Sequence, residues 1–175
     1  MNYANIKYCD IANGEGVRTS LFVCGCRRGC KGCFNSEQQS FSAGEPFTRA
    51  VEDEILESLK HSYVDGLTIL GGEPLEPENQ RALLPFVQRV KSAFPNKQIW
   101  VYTGFTFEEL MDCANACRTE VTAKLLALVD VLVDGPFVES KHDITLKFRG
   151  SANQRIIDVA KTLAKGGEVV LWENV

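Results

Sequence analysis

The sequence predicts a single α/β domain over residues 1–175, built as an open, partial βα barrel of about five or six strands. Three observations predict this fold. Short apolar runs alternate with amphipathic helical stretches, glycine-containing or polar turns follow several of the runs, and the length suits one hydrophobic core better than two. In such folds, chemistry is expected at the loops that follow the carboxyl ends of the strands.

Strands are predicted at the short apolar runs, over residues 19–23, 66–70, 98–103, 129–133, 144–148 and 169–172. The segment Tyr3–Ile11 is compatible with a short edge strand. Trp100 and Tyr102 share one face of their strand by alternation, so we expect one in the core and the other at the barrel mouth.

Helices are predicted where apolar residues recur at helical spacing, over residues 48–60, 77–94 and from residue 106 onward. Pro77 suits the first turn of the second helix, whereas Pro85 predicts a kink or a break within it. Thr106 and Glu109 form the pattern of a capping box. Thr119 is expected to cap a further short helix.

Composition excludes several classes of protein. The net charge of −4 and the pI near 5.3 leave no basic stripe for nucleic acid. Seven cysteines are an odd number, and no charged-then-apolar signal precedes them, so a secreted disulfide framework is not expected. No apolar run approaches the roughly 18 residues of a membrane span. We therefore expect a cytoplasmic protein without a nucleic-acid or membrane partner.

The most informative stretch is residues 25–35, which contain three cysteines with the spacing Cys-x3-Cys-x2-Cys. Its glycines, and the lack of a large apolar residue before Phe34, predict a tight loop that turns Cys26, Cys30 and Cys33 toward one point. Thiolates suit zinc or iron–sulfur, not calcium or magnesium. Because a closed zinc site or an iron–sulfur cube uses four ligands, one corner is expected to stay open.

Other interpretations of the cysteines stay open on residues alone. A bacterial ferredoxin would show Cys-x2-Cys-x2-Cys and a Cys-Pro pair, which the sequence lacks. A zinc ribbon would pair two Cys-x2-Cys knuckles, and only Cys30-x2-Cys33 is present. Cys24 is a candidate fourth thiolate but more simply a small strand residue. Cys113 and Cys117, predicted on one helix face, more simply form a half-buried stripe than a metal pair.

The three cysteines resemble the motif of the radical S-adenosylmethionine enzymes, which hold a [4Fe–4S] cluster and leave its fourth iron to S-adenosylmethionine. The longer run over residues 13–35 resembles the glycyl-radical-enzyme activases, especially those of the anaerobic ribonucleoside-triphosphate reductase. The resemblance implies Cys26, Cys30 and Cys33 as cluster ligands, with Gly32, Cys33 and Phe34 beside the cofactor. An aromatic residue usually precedes the third cysteine, whereas here Gly32 precedes it and Phe34 follows.

The tetrapeptide Gly71-Gly72-Glu73-Pro74 follows a predicted strand. Alone it predicts only a turn, in which the glycines allow close backbone approach and Pro74 fixes the exit. It is similar to the activases' motif whose backbone and glutamate hold the methionine amino group, which implies these four residues as cofactor contacts.

Two later segments also resemble the activases. Asp134 is similar to an acidic residue of the activases that lies near the ribose and methionine groups of bound S-adenosylmethionine. Pro136 stands where some of these enzymes have lysine. The run over residues 149–155 is similar to an Arg-Gly-Ser-x-Asn-Gln-Arg segment, which implies Ser151 and Asn153 as cofactor contacts and Arg149 as a carboxylate partner. The alternative for this run is a polar turn.

The resemblance implies a mechanism. A reduced cluster, supplied with one electron by a flavodoxin- or ferredoxin-type donor, cleaves S-adenosylmethionine to methionine and a 5′-deoxyadenosyl radical, which abstracts hydrogen from a glycine of the reductase. The cofactor carries the chemistry, so no general acid or base is needed. The alternatives are activation of a formate-lyase-type enzyme, turnover of a small molecule as in the 7-carboxy-7-deazaguanine synthases, and a non-catalytic iron–sulfur electron carrier.

Overall fold

The computed structural model describes residues 1–173 and shows a mixed α/β architecture around one seven-stranded sheet. The strands are Asn2–Asp10 (β1), Arg18–Val23 (β2), Glu45–Pro46 (β3), Gly66–Gly71 (β4), Gln98–Tyr102 (β5), Val131–Asp134 (β6) and Arg155–Asp158 (β7). The helices are Arg49–Ser58 (α1), Pro77–Ala93 (α2), Phe107–Met111 (α3), Thr122–Leu126 (α4) and Val159–Ala164 (α5). None of the helices within residues 1–173 is long and apolar enough to cross a membrane.

The sheet has the strand order β3-β1-β2-β4-β5-β6-β7. Strands β2, β4, β5 and β6 are parallel neighbours. Antiparallel strands flank them, with β1 and β3 on one side and β7 on the other. The four parallel strands therefore end at the same edge of the sheet, where the sequence predicts the site.

Alternation along the strands gives the sheet two apolar faces. Leu21 and Ile69 pack in the larger core with residues of α1 and α2. On the opposite face, Trp100 is fully buried in a smaller cluster, and Tyr102 is partly buried against that cluster. The α/β class is confirmed, and the sheet has seven strands rather than five or six because short segments pair along both flanks.

The predicted strand over residues 144–148 is wrong. The Asp143 carboxylate accepts hydrogen bonds from the Thr145 N–H at 2.8 Å and the Thr145 hydroxyl at 2.7 Å, so this apolar alternation is folded into turns. The pairing strand is Arg155–Asp158 instead. The predicted strand over residues 169–172 reduces to a single bridge between Leu171 and Ile157.

Three helix predictions also need correction. Helix α2 is not split at Pro85 but continues through it from Pro77 to Ala93. Pro85 faces solvent, so the carbonyl that loses its N–H partner lies on the exposed side. Helix α3 has the predicted capping box but ends at Met111. Cys113 and Cys117 therefore lie in turns rather than on one helix face. The short helix α4 is present, with Val121 instead of Thr119 at its N-cap.

Candidate functional site

A cavity of about 510 Å³ opens where the parallel strands end. Its wall combines the cysteine loop, the loop after β4, the end of β5 and residues of the 135–154 segment. Tyr102 lines it, while Trp100 stays in the core, as predicted from their alternation. The volume is in the range of pockets that hold small ligands or cofactors.

The three cysteines of the motif all line this cavity. Cys26, Cys30 and Cys33 are half-buried free thiols. Gly29 and Gly32 have φ of +60° and +71°, the left-handed conformation that lets the loop reverse direction. Burial raises the pKa of the Cys26 thiol, which opposes formation of the thiolate that binds metals.

The spacing predicts that the three thiols converge on one point, but they do not lie close enough together to bind a single ion. Among residues 1–173, no three His, Cys, Asp or Glu side chains lie close enough together to hold one metal ion. In an iron–sulfur cube each cysteine binds a different iron, so the thiolates stand apart around the group. Three separate soft ligands on one cavity wall fit such a cluster better than a zinc ion.

The Gly-Gly-Glu-Pro loop packs directly against the cysteine loop. The Gly72 N–H donates to the Val23 carbonyl at 2.8 Å, and the Glu73 N–H donates to the Gly25 carbonyl at 2.8 Å. A Cβ on Gly72 would lie 2.8 Å from the carbonyl oxygens of Gly25 and Gln38. Glycine at this position is therefore required by contact between the two loops.

Glu73 places a buried carboxylate on the cavity wall. It is 1% exposed and accepts hydrogen bonds from the Thr103 hydroxyl at 2.7 Å, the Gly104 N–H at 2.7 Å and the Leu75 N–H at 2.8 Å. Burial raises the pKa of Glu73 to about 7, because the cost of desolvation outweighs these hydrogen bonds. A cation that enters the cavity would stabilise the ionised form.

The structure brings many of the predicted site residues together. Along with the three cysteines, Phe34, Gly71, Gly72 and Glu73 line the cavity, whereas Gly32 and Pro74 adjoin the wall without lining it. The Phe34 ring is 71% exposed. It contacts the rings of Phe137 and His142 edge-on, at centroid distances of 5.3 and 5.5 Å.

Asp134, Ser151 and Asn153 do not line the cavity. The buried Asp134 carboxylate accepts hydrogen bonds from the Phe107 N–H at 2.8 Å and from Arg155 Nε at 3.0 Å. The Ser151 hydroxyl accepts from a backbone N–H at 3.2 Å, and the Asn153 amide donates to a backbone carbonyl at 2.8 Å. Their neighbours in sequence line the cavity instead: Gly135, Arg149, Gly150 and Gln154.

Arg28 also belongs to the site, although no sequence pattern predicted it. Its side chain lines the cavity, and its guanidinium lies 4.6 Å from the centre of the Phe105 ring. The electrostatic field of Arg28 favours the ionised form of Glu73. Its position within the cysteine motif could have suggested a role. The direction of its side chain, however, depends on packing against Phe105, which is distant in sequence.

Comparison with known proteins identifies the family of this chain. A family described as 4Fe-4S single cluster domain matches residues 12–157. The anaerobic ribonucleoside-triphosphate reductase-activating protein of Pasteurella multocida is 46% identical over 158 residues, which are 89% of this chain and 96% of the relative. The proteins of the same name from Escherichia coli K12 and phage T4 are 42% and 38% identical over 156 residues each, covering 88% and 89% of this chain and 96% and 93% of those relatives. The chain therefore belongs to the 4Fe-4S single cluster domain family and, within it, to the anaerobic ribonucleoside-triphosphate reductase-activating proteins.

Proposed function

We propose that this chain activates an anaerobic ribonucleoside-triphosphate reductase as a radical S-adenosylmethionine enzyme. One observation carries the proposal: three free thiols and the buried Glu73 carboxylate line the same cavity at the carboxyl edge of the parallel strands. The names of the relatives favour the reductase as target over the formate-lyase-type and small-molecule alternatives.

Cys26, Cys30 and Cys33 would hold the [4Fe–4S] cluster. Three protein ligands leave one iron free for the amino and carboxylate groups of S-adenosylmethionine. A bound cluster would supply the electron for reductive cleavage of S-adenosylmethionine to methionine and a 5′-deoxyadenosyl radical, and this radical would take a hydrogen atom from a glycine of the reductase. The electron comes from a flavodoxin- or ferredoxin-type donor. The protein itself binds and orients the cofactor and excludes water from it.

Two opposite charges on the cavity wall suit an amino-acid group. The Glu73 carboxylate complements an ammonium group, and Arg28, on the same wall, complements a carboxylate. The two glycines before Glu73 let this segment lie against the cysteine loop, so Glu73 is held beside the loop that carries the thiols and Arg28. We assign the methionine end of the cofactor to this part of the wall.

The fold supports access by a macromolecular substrate. We interpret the open sheet as the partial βα barrel of the radical S-adenosylmethionine enzymes, with the cavity as its mouth. Phe34, at this mouth, is largely exposed. A glycine on a loop of a large partner can enter such a mouth, and the partner itself then shields the radical from solvent.

Cofactor cleavage tests the proposal. The chain is reconstituted anaerobically with iron and sulfide, reduced with dithionite and mixed with S-adenosylmethionine, and 5′-deoxyadenosine is quantified. We expect 5′-deoxyadenosine together with a change in the cluster's EPR spectrum on cofactor addition. A cluster that forms but releases no 5′-deoxyadenosine, with or without the reductase, would favour an electron carrier. Zinc binding without a cluster would refute the proposal.

A further inference from the structure

Glu76 is a buried carboxylate whose hydrogen bonds go to the cysteine loop. It is 3% exposed and precedes α2, yet its side chain makes no hydrogen bond that caps this helix. One carboxylate oxygen accepts the backbone N–H of Arg27 at 2.7 Å. The other accepts the Arg27 guanidinium at 2.7 Å. Both oxygens are therefore bonded to one loop residue. Because a buried carboxylate is costly unless it is paired and hydrogen-bonded, these bonds hold Glu76 and the loop together.

Arg27 lies between the first two cysteines of the motif. Its guanidinium stacks 4.2 Å from the centre of the Phe41 ring and also pairs with Glu78. Because the backbone N–H that Glu76 accepts is bonded to the carbonyl carbon of Cys26, the carboxylate lies next to a cluster ligand. Glu78 accepts hydrogen bonds from the Arg27 guanidinium but, within residues 1–173, none from the loop backbone, and its side chain is 51% exposed.

We propose that Glu76 is a positioning residue for the cluster: it fixes the segment between Cys26 and Cys30 and places a buried negative charge beside Cys26. The inference rests on the cluster assigned under Proposed function. Buried charges are screened far less than exposed ones. Reduction adds an electron to the cluster, so a fixed negative charge nearby disfavours the reduced form and lowers the reduction potential.

Removing only the charge of Glu76 distinguishes this electrostatic role from a purely structural one. Glu76→Gln keeps an oxygen that can accept the Arg27 N–H but removes the buried charge. Glu78→Gln removes a carboxylate from the same arginine but at an exposed position, where solvent screens it. The two variants thus share a partner and differ in burial and in contact with the loop backbone.

The experiment is an EPR-monitored redox titration at pH 8 of the reconstituted wild-type protein and of the variants Glu76→Gln, Glu78→Gln and Glu76→Asp. We expect the potential of Glu76→Gln to shift to more positive values, that of Glu78→Gln to stay at the wild-type value, and Glu76→Asp to restore a potential near wild type. An unchanged potential in a folded, cluster-bearing Glu76→Gln variant, or equal shifts in Glu76→Gln and Glu78→Gln, would overturn the inference.

A further variant keeps the inference testable if circular dichroism shows that Glu76→Gln is unfolded. Arg27→Gln leaves the Glu76 charge without its cation, so we expect a shift to more negative potential. No shift, or a positive one, would overturn the inference. Failure of the wild-type protein to form a cluster would overturn the proposed function as well, whereas a wild-type cluster with unshifted variants would overturn only the role of Glu76.

Discussion

At the scale of single residues, the site depends on how burial changes the charge of its side chains. Glu73 is held by three hydrogen bonds that favour its ionised form, yet its pKa is raised to about 7. Near neutral pH the carboxyl therefore exists in both forms. A bound ammonium group would shift it to the ionised form, so cofactor binding and proton release are expected to be linked.

Glu73 should make stability depend on pH in a defined window. Between about pH 4.5 and pH 7 the native carboxyl keeps a proton that the unfolded chain has released. Raising the pH through this window should lower the free energy of unfolding, by on the order of 3 kcal/mol at most. Urea denaturation of the wild type and Glu73→Gln at pH 5 and pH 7.5 measures this loss. We expect the free energy of unfolding to fall less between the two pH values in the variant than in the wild type. An equal fall in the two proteins would contradict the raised pKa of Glu73.

Cys30→Ala should abolish the cluster, because two thiolates cannot hold a cube. The measurement is iron content and visible absorbance after anaerobic reconstitution. Cys113→Ala is the matched control, since Cys113 is an exposed thiol that does not line the cavity. Full iron loading of Cys30→Ala, or equal loss in the control, would contradict the assignment of ligands.

At the scale of elements, the site depends on loops that are bonded to each other. The Asn79 amide on α2 donates to the Cys24 carbonyl at 3.0 Å and to the Glu73 carbonyl at 2.9 Å. Asn79 is buried, so both bonds are made away from solvent. The first turn of α2 therefore joins the cysteine loop to the Gly-Gly-Glu-Pro loop.

Gly72→Ala should disrupt this junction. The added Cβ would meet two backbone carbonyl oxygens at 2.8 Å, so the loops must separate. We expect a loss of about 1–3 kcal/mol in the free energy of unfolding, the usual cost of overpacking. Gly29→Ala is the control in the same region, because no atom lies within 4 Å of its added Cβ, and only its positive φ carries a cost. A smaller loss for Gly72→Ala than for Gly29→Ala would contradict the described packing.

Asp134 connects the end of β6 to β7 and to the start of α3 through Arg155 and the Phe107 N–H. Asp134→Asn leaves Arg155 without its buried partner and should cost about 1–3 kcal/mol of stability. We expect affinity for S-adenosylmethionine to be retained, which equilibrium dialysis with the oxidised, cluster-bearing protein measures. Lost affinity with unchanged stability would favour the role that the resemblance implies for this residue.

What the sequence predicts well is local. The parallel strands, the capping box at Thr106 and the cysteine motif each follow from patterns within a few residues. What it predicts poorly depends on distant partners. Residues 144–148 alternate like a strand, but the Asp143 side chain turns them. Arg28 and Glu76 have no local pattern, because their roles are set by Phe105 and by Arg27, far away in sequence.

At the scale of the whole molecule, one arrangement explains why the site lies where it does. Four parallel strands end at one edge, and the loops that follow them supply the thiols, the Glu73 carboxylate and the cavity wall. The helices pack on one face of the sheet and leave the other for the cavity and a small aromatic cluster. The fold thus provides a binding site for the cofactor, while the proposed substrate is part of another protein.

The most direct test of the central claim is transfer of the radical to the reductase. The reconstituted chain, S-adenosylmethionine and dithionite are mixed anaerobically with the anaerobic ribonucleoside-triphosphate reductase of the same organism, and the reductase is examined by EPR. We predict a glycyl radical signal that depends on the chain and on the cofactor and is lost with Cys30→Ala. Release of 5′-deoxyadenosine without any glycyl radical on the reductase would contradict the assigned partner.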